Sequence, residues 1–238
     1  MQSLAHYQYL AALFDYPEAD YPAQVQRAYG VLKDQYPSAA AELLPFVEAM
    51  ESDGETYSAQ ALDEIQEIFT RSFDVQSITT LGIGYIMFGD DYKRGELFVN
   101  LNREFADAGI DGGSELPDHL PTVLRLIARW QDEGLIAELV EEIVHPALQQ
   151  MIAEFGSRRS EQRNELYRKH YKTLIASSPT RGTMFRAPLA AVLEVLKEDF
   201  ALSDWHPPEQ DNDFLRSVGR EMEIEDAAGR PAPSGRML

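Results

Sequence analysis

The chain has 238 residues, enough for one large domain or two small ones, and 44% of them are hydrophobic. Forty acidic residues against 21 basic ones give a formal net charge of −19, which disfavours nucleic acid and anionic membranes as partners and favours a basic peptide segment. The absence of cysteine excludes disulfides, thiolate metal ligands and cysteine nucleophiles.

The sequence shows neither a signal peptide nor a stretch that could span a membrane. Residues Met1 to His6 lack the basic region and apolar run of a signal peptide. The longest apolar stretch, Leu81 to Phe88, is far too short to span a bilayer. We therefore expect a cytoplasmic protein that does not insert into membranes.

Apolar residues recur at helical spacing along most of the chain, and no alternating pattern typical of strands competes with them. The predicted helices cover residues 2–14, the stretch after Pro22, and residues 39–50, 58–73, 91–108, 118–130, 135–155, 160–176 and 188–200. The short connections predict an all-α protein, with a single compact multi-helix bundle over residues 1–202. Residues 203–238 contain much proline and glycine and are predicted to be a flexible acidic tail with a short amphipathic segment.

The segment from Phe73 to Phe88 differs from its neighbours, because no charged residue lies between Asp74 and Asp90. An element that is apolar on all sides is predicted to be buried on all sides. Gly82 and Gly84 are predicted to permit close packing there, since a glycine costs about 1 kcal/mol inside a helix. Phosphate loops also contain Gly-x-Gly, but here the preceding strand and the lysine are missing.

Residues 112–121 form the densest cluster of turn-forming and ionisable residues in the chain. A helix that began at Pro117 would place Pro121 where its ring clashes with a carbonyl of the first turn. We therefore predict that Asp118 is the N-cap and that Pro121 occupies the third helical position, where no donor is required. The Asp118 carboxylate would then accept from the Leu120 amide.

Helix capping explains Asp118 but leaves Glu115 and His119 without a role. Two acids and an imidazole lie within five residues here, whereas a cap needs one acid. The cluster therefore has two interpretations, a helix cap or a functional site.

Residues 115–121 read Glu-Leu-Pro-Asp-His-Leu-Pro. This string resembles the signature of the cytoplasmic chaperones that mature respiratory molybdoenzymes, the TorD/DmsD/NarJ superfamily, and in particular its nitrate reductase delta-subunit (NarJ-like) branch. Upstream, residues 88–97 read Phe-Gly-Asp-Asp-Tyr-Lys-Arg-Gly-Glu-Leu and are similar to the acidic-Arg-Gly segment of that branch. The two segments have the order and spacing of the family.

The resemblance implies a TorD-like helical fold and a chaperone that is not an enzyme. The partner would be the apo catalytic subunit of a molybdenum reductase or dehydrogenase, bound through its N-terminal segment. That client, not the chaperone, would carry molybdopterin guanine dinucleotide, and the chaperone would hold the client open for cofactor insertion. Carried over by motif, the client-binding residues are Glu115, Pro117, Asp118 and His119, with Arg94 beside them. The identity of the client, direct binding of the cofactor or of guanine nucleotide, and a homodimer stay open.

A helical metal-dependent hydrolase is the alternative, because Asp118-His119 resembles half of such a metal site. None of the five histidines forms the i, i+4 pair of a helical metal site, and no serine lies in a nucleophile elbow. His145 precedes Pro146 and is predicted to be a helix-boundary residue. The tyrosine-rich first helix is predicted to belong to the core.

Overall fold

The computed structural model describes residues 3–50, 57–110, 115–156 and 181–203. These residues are mostly helical and contain no strand, so the predicted all-α class is confirmed. They belong to one unit, Met1–Ser203. None of the helices described is long and apolar enough to cross a membrane.

The helices are numbered here in chain order over the described residues. They are α1 (Tyr7–Ala11), α2 (Tyr21–Gln35), α3 (Pro37–Ala49), α4 (Ala59–Phe73), α5 (Ile83–Phe88), α6 (Tyr92–Asp107), α7 (Leu120–Ile127), α8 (Glu133–Leu139), α9 (His145–Phe155) and α10 (Arg186–Asp199). Short 3-10 turns follow α1 at Ala12–Phe14 and precede α10 at Arg181–Thr183. A π-helical turn, Val140–Val144, joins α8 to α9.

The core lies where α10 packs against α3 and α9. Helix α2 covers α3, and α1 packs on α7. Just before α10, the buried ring of Phe185 lies 5.2 Å from the ring centroid of Phe46, 5.4 Å from that of Phe69 and 5.2 Å from that of Phe73. Aromatic pairs at these separations add about 0.5–1.5 kcal/mol beyond the area they bury. One aromatic cluster therefore joins α3, α4 and the start of α10.

Several predicted helix ends are confirmed. Ser58 caps α4 by accepting from the Ala61 amide at 3.2 Å, and Asp91 caps α6 by accepting from the Lys93 amide at 3.0 Å. Helix α6 ends just before Gly109, whose φ of +63° is the left-handed conformation that glycine adopts readily. The serine, aspartate and glycine residues in the sequence were sufficient to predict these helix ends.

The prediction for residues 73–88 is wrong in part. Residues 74–82 form a turn, bends and irregular backbone, and only the short helix α5 follows them. Ile83 is buried, but the Tyr85 side chain is exposed and Met87 is half-buried. Helix α5 packs against α6, α9 and the π-helical turn, and the exposed Tyr85 side chain shows that part of its surface still reaches solvent. The lack of charge predicted full burial, but too few helices pack around α5 to cover all of its surface.

Residues 133–155 run as one helical stretch that contains the π-helical turn. The His145 amide donates to the Val140 carbonyl, five residues back, at the point where Pro146 can donate no bond of its own. The boundary predicted at His145 is thus a change of helix type, and the His145 side chain is buried.

Some predicted elements lie outside the described residues. These are the helix at residues 160–176 and, apart from Ser203, the tail at residues 203–238 with its amphipathic segment.

Candidate functional site

The chain just before α5 and the chain just before α7 run side by side. The Ile83 amide donates to the Asp118 carbonyl at 3.0 Å, and the Leu120 amide donates to the Leu81 carbonyl at 2.8 Å. These bonds form an isolated antiparallel bridge between the apolar glycine-containing segment and the acid-histidine segment. The bridge fixes where the side chain of Asp118 can lie.

The Asp118 carboxylate forms an ion pair with Arg94 of α6. Arg94 Nε donates to Asp118 Oδ2 at 2.8 Å, and Arg94 Nη2 donates to Asp118 Oδ1 at 3.3 Å. The Asp118 side chain is completely buried, and that of Arg94 is 18% exposed. A two-pronged pair of this kind is both strong and geometrically specific. It joins the two segments that carry the family resemblance.

Two aromatic rings flank the guanidinium of Arg94. Its central carbon lies 5.3 Å from the ring centroid of Tyr85 and 5.0 Å from that of Phe98. Both distances are within the range of cation–π attraction. The rings also hold the planar group in place, so Arg94 presents fixed donors to Asp118.

Glycine is required at position 84 because the ion pair lies directly against it. A Cβ at Gly84 would stand 2.8 Å from Asp118 Oδ2 and 2.9 Å from Leu97 Cδ2. A Cβ at Gly82 would lie 3.3 Å from Arg94 Nη2. The predicted close packing at the glycine pair is therefore confirmed, and its reason is the buried carboxylate.

The predicted cap is wrong. Helix α7 begins at Leu120 with His119 as the N-cap, and Pro121 is its second residue. The Leu120 amide bonds to the neighbouring loop, and the side chain of Asp118 turns to Arg94 instead. A full positive charge in a buried position is a stronger partner for a carboxylate than a backbone amide. Local sequence could not show this, because Arg94 is 24 residues away.

His119 lies half-buried at the start of α7, and its side chain makes no cap hydrogen bond. Burial lowers the pKa of His119 below the usual 6.5, and the nearby charges of Glu115, Asp15 and Asp118 oppose this only in part. The imidazole is therefore neutral at pH 7, with one nitrogen as donor and the other as acceptor.

The remaining site residues lie at the surface side of the pair. Glu115 is exposed, Pro117 is half-buried, and Leu116 between them is 52% exposed. The structure thus brings Asp118 and Arg94 together, half-buries His119 near the charges of Asp15 and Arg125, and leaves Glu115 exposed. Sequence reasoning missed Tyr85 and Phe98. The signal for Phe98 was its position one helical turn after Arg94.

We expect Gly84→Ala to lower the free energy of unfolding by about 1–3 kcal/mol, as overpacking does in a dense core. The new methyl group would clash with both Asp118 Oδ2 and Leu97 Cδ2, so both side chains or α5 itself must shift. Gly30→Ala is the matched control, since a Cβ there meets nothing within 4 Å and alanine favours the helix. Urea unfolding of both variants checks this. Equal stabilisation by the two substitutions would contradict the packing argument.

A second buried polar cluster joins His6, just before α1, and Tyr36, between α2 and α3, to the last residue of α10. His6 Nε2 lies 2.8 Å from Asp199 Oδ2, and the Tyr36 hydroxyl donates to Asp199 Oδ1 at 2.7 Å. Burial raises the pKa of Asp199, but the hydrogen bonds from His6 and Tyr36 outweigh it and hold that pKa below its usual 3.8. The cluster is closed to solvent and serves stability. No sequence pattern joined these three residues.

A metal-site interpretation finds little support in this arrangement. Both carboxylate oxygens of Asp118 accept bonds from Arg94, so the carboxylate is already neutralised. Within residues 3–50, 57–110, 115–156 and 181–203, no group of three or more His, Asp or Glu side chains is placed to hold a metal ion.

Comparison of the sequence with models of known protein families finds no match, and comparison with curated proteins finds none either.

Proposed function

We propose that this protein is a cytoplasmic maturation chaperone for a respiratory molybdoenzyme. In this role it binds the apo catalytic subunit through that subunit's N-terminal segment and keeps it open for insertion of molybdopterin guanine dinucleotide. Its helical fold is then of the TorD-like type. No bond is made or broken by the chaperone itself, and it has no cofactor of its own.

One observation carries the proposal. The two segments that resemble the family signature, far apart in the sequence, meet in the buried Arg94–Asp118 ion pair. Buried ion pairs are costly to assemble and are weak contributors to net stability, so a role in holding a site together is a good physical reason to have one. This one holds the start of α7 against α6.

The geometry divides the site residues into two kinds. Asp118 is completely buried and cannot touch a client, so it and Arg94 act as positioning residues. Glu115 is exposed and His119 is half-buried, so a client segment can reach both side chains. Pro117 restricts the backbone between them. A neutral imidazole beside an exposed carboxylate suits recognition of a peptide that offers both backbone groups and positive charge.

The metal-dependent hydrolase is disfavoured, because it would require Asp118 to leave Arg94. No feature of the described residues supports it over the chaperone.

Co-purification tests the proposal. The full chain, tagged and expressed in its native host, should enrich the catalytic subunit of a molybdoenzyme without its cofactor, as identified by mass spectrometry. Removal of the gene should leave that enzyme deficient in molybdenum. If the bound proteins include no molybdoenzyme subunit, the proposed function is wrong.

His119→Ala should weaken client binding by about fivefold to tenfold, the loss typical of a contact that matters at an interface. The melting temperature should change little, because the His119 side chain does not cap α7 and is only half-buried. Binding and melting are measured on the same preparation. A large fall in melting temperature with normal client binding would make His119 a structural residue.

A further inference from the structure

Sulfur in this chain is confined to its seven methionines, because cysteine is absent. Four of these methionines lie in the part of the chain that the structure describes. Met50, Met151 and Met184 are buried, with 5%, 0% and 8% of their surface exposed, whereas Met87 is half-buried. Oxidation of a sulfur group follows its exposure, so among these four Met87 is the one that a dissolved peroxide reaches first.

A hydrogen-bond donor is already placed at the Met87 sulfur. Gln150 Nε2 of α9 donates to Met87 Sδ, with 3.7 Å between the two atoms. A thioether is only a weak acceptor, so the amide gains little from the reduced side chain. A sulfoxide carries a polar oxygen on the sulfur and accepts a hydrogen bond more strongly. The position of Gln150 therefore suits the oxidised form of Met87.

Met87 also contacts the hydrophobic core. Met87 and its neighbour Ile86 pack against that core, and α5 packs against α9 and the π-helical turn. A polar sulfoxide without a partner is costly at such a position, and methionine oxidation disrupts cores for this reason. The Gln150 amide offsets the cost, because it can donate to the new oxygen. The chain can thus accommodate oxidation at Met87 without unfolding.

We propose that Met87 is a reversible oxidation site, at which Gln150 holds the sulfoxide. A lone pair of Met87 Sδ attacks one oxygen of hydrogen peroxide, so the S–O bond forms as the O–O bond breaks. The second oxygen leaves as water with both protons, and the sulfur has then lost two electrons to the peroxide. A thiol-dependent methionine sulfoxide reductase reverses the step. Two thiols become a disulfide, and the sulfoxide oxygen leaves as water.

The helix that carries Met87 also borders the Arg94–Asp118 ion pair. A Cβ at Gly84 would stand 2.8 Å from Asp118 Oδ2, and the Tyr85 ring centroid lies 5.3 Å from the central carbon of Arg94. Because α5 has only six residues, a change in the contact between Met87 and α9 acts on the same short helix as these two contacts. The oxidation site itself does not depend on the chaperone role.

Hydrogen peroxide is the probe for the first test, applied to the full folded chain. Mass spectrometry of its proteolytic peptides measures the rate of sulfoxide formation at each methionine. Met87 should oxidise about tenfold faster than Met50, Met151 and Met184, because those three are buried. In urea the four rates should become similar. If Met87 in the folded chain oxidises no faster than the buried three, the inference is overturned.

The role of Gln150 is tested by the handedness of the sulfoxide. Peroxide can place oxygen on either lone pair of Met87 Sδ, and each of the two epimers is reduced by a different reductase. One donor on one side of the sulfur should give an excess of one epimer, by about threefold or more. Gln150→Leu should move the ratio towards that of the chain in urea, whereas Gln149→Leu, the matched control on α9, should not. Equal ratios in these two variants overturn the inference.

Two further measurements keep the test decisive if Gln150→Leu fails to fold. The epimer ratio at Met87 in the unmodified folded chain should differ from the ratio in urea, and equal ratios overturn the inference. Met87→Leu removes the sulfur and nearly keeps the volume, so peroxide should no longer shift the melting temperature. Reductase with dithiothreitol should restore the melting temperature of the oxidised unmodified chain. An equal peroxide shift in Met87→Leu, or a shift that the reductase leaves in place, also overturns it.

Discussion

Replacement of Arg94 by methionine is expected to lower the free energy of unfolding by about 3–5 kcal/mol, the usual cost of removing one partner of a buried ion pair. The Asp118 carboxylate, completely buried, would lose both of its charged donors. Single domains have only about 5–15 kcal/mol of stability in total. The variant should therefore unfold at a much lower urea concentration. Helix α6 should also lose the Arg94 contacts with Asp118 and with the Tyr85 ring.

The same helix offers a matched control for this prediction. Arg103 also pairs with a carboxylate, that of Glu104, but the Arg103 side chain is 65% exposed. Arg103→Met should therefore change the free energy of unfolding by less than about 1 kcal/mol. The double variant Arg94→Met/Asp118→Asn should lose less stability than the sum of the two single variants. Each single substitution already removes the Arg94–Asp118 ion pair. Equal losses in the free energy of unfolding for Arg94→Met and Arg103→Met would show that the buried ion pair matters no more to stability than the exposed one.

Asp199→Ala is expected to cost about 2–5 kcal/mol at pH 7, because it removes the carboxylate that both His6 Nε2 and the Tyr36 hydroxyl contact in a buried position. It also releases the end of α10 from α1. Glu198→Ala, an exposed neighbour on α10, should stay within about 0.5 kcal/mol. Urea unfolding of both variants measures the difference. Similar stabilities would mean that the cluster contributes little.

The Asp199 contribution should depend on pH in a definite direction. Its pKa lies below 3.8 in the folded chain, so the unfolded chain binds the proton first as pH falls. The stabilisation is therefore complete well above pH 3.8 and is lost as the pH falls through the folded pKa. The stability difference between the unmodified chain and Asp199→Asn should decrease as the pH falls below about 4. A difference that does not change down to pH 3 would contradict this assignment.

Local chemistry in the sequence was sufficient where neighbouring residues decide the outcome. The ends of α4 and α6 follow from Ser58, Asp91 and Gly109, since a cap or a left-handed residue acts within one turn. The inward side of α7 follows from apolar spacing, and Val123, Leu124 and the rest of its predicted stripe are buried. Such features depend on interactions between residues a few positions apart.

The interpretation of residues 115–121 shows the opposite case. Within that string, Asp118 has the position and chemistry of a helix cap, and nothing in the neighbouring residues contradicts it. Only a charge brought in by α6 changes its role, and the Cβ-free surface of Gly84 makes the space for it.

The sequence alone determined the all-α class, most helix boundaries and the strong negative charge. It also indicated the residues at which a functional site should be sought. The tertiary structure decided which of those residues are buried and which face solvent, that Arg94 and Asp118 are one unit, and that His6, Tyr36 and Asp199 form another. The physical reason is distance along the chain. Capping and helical periodicity act over a few residues, whereas the pairing of a buried charge depends on whichever helix folds against it.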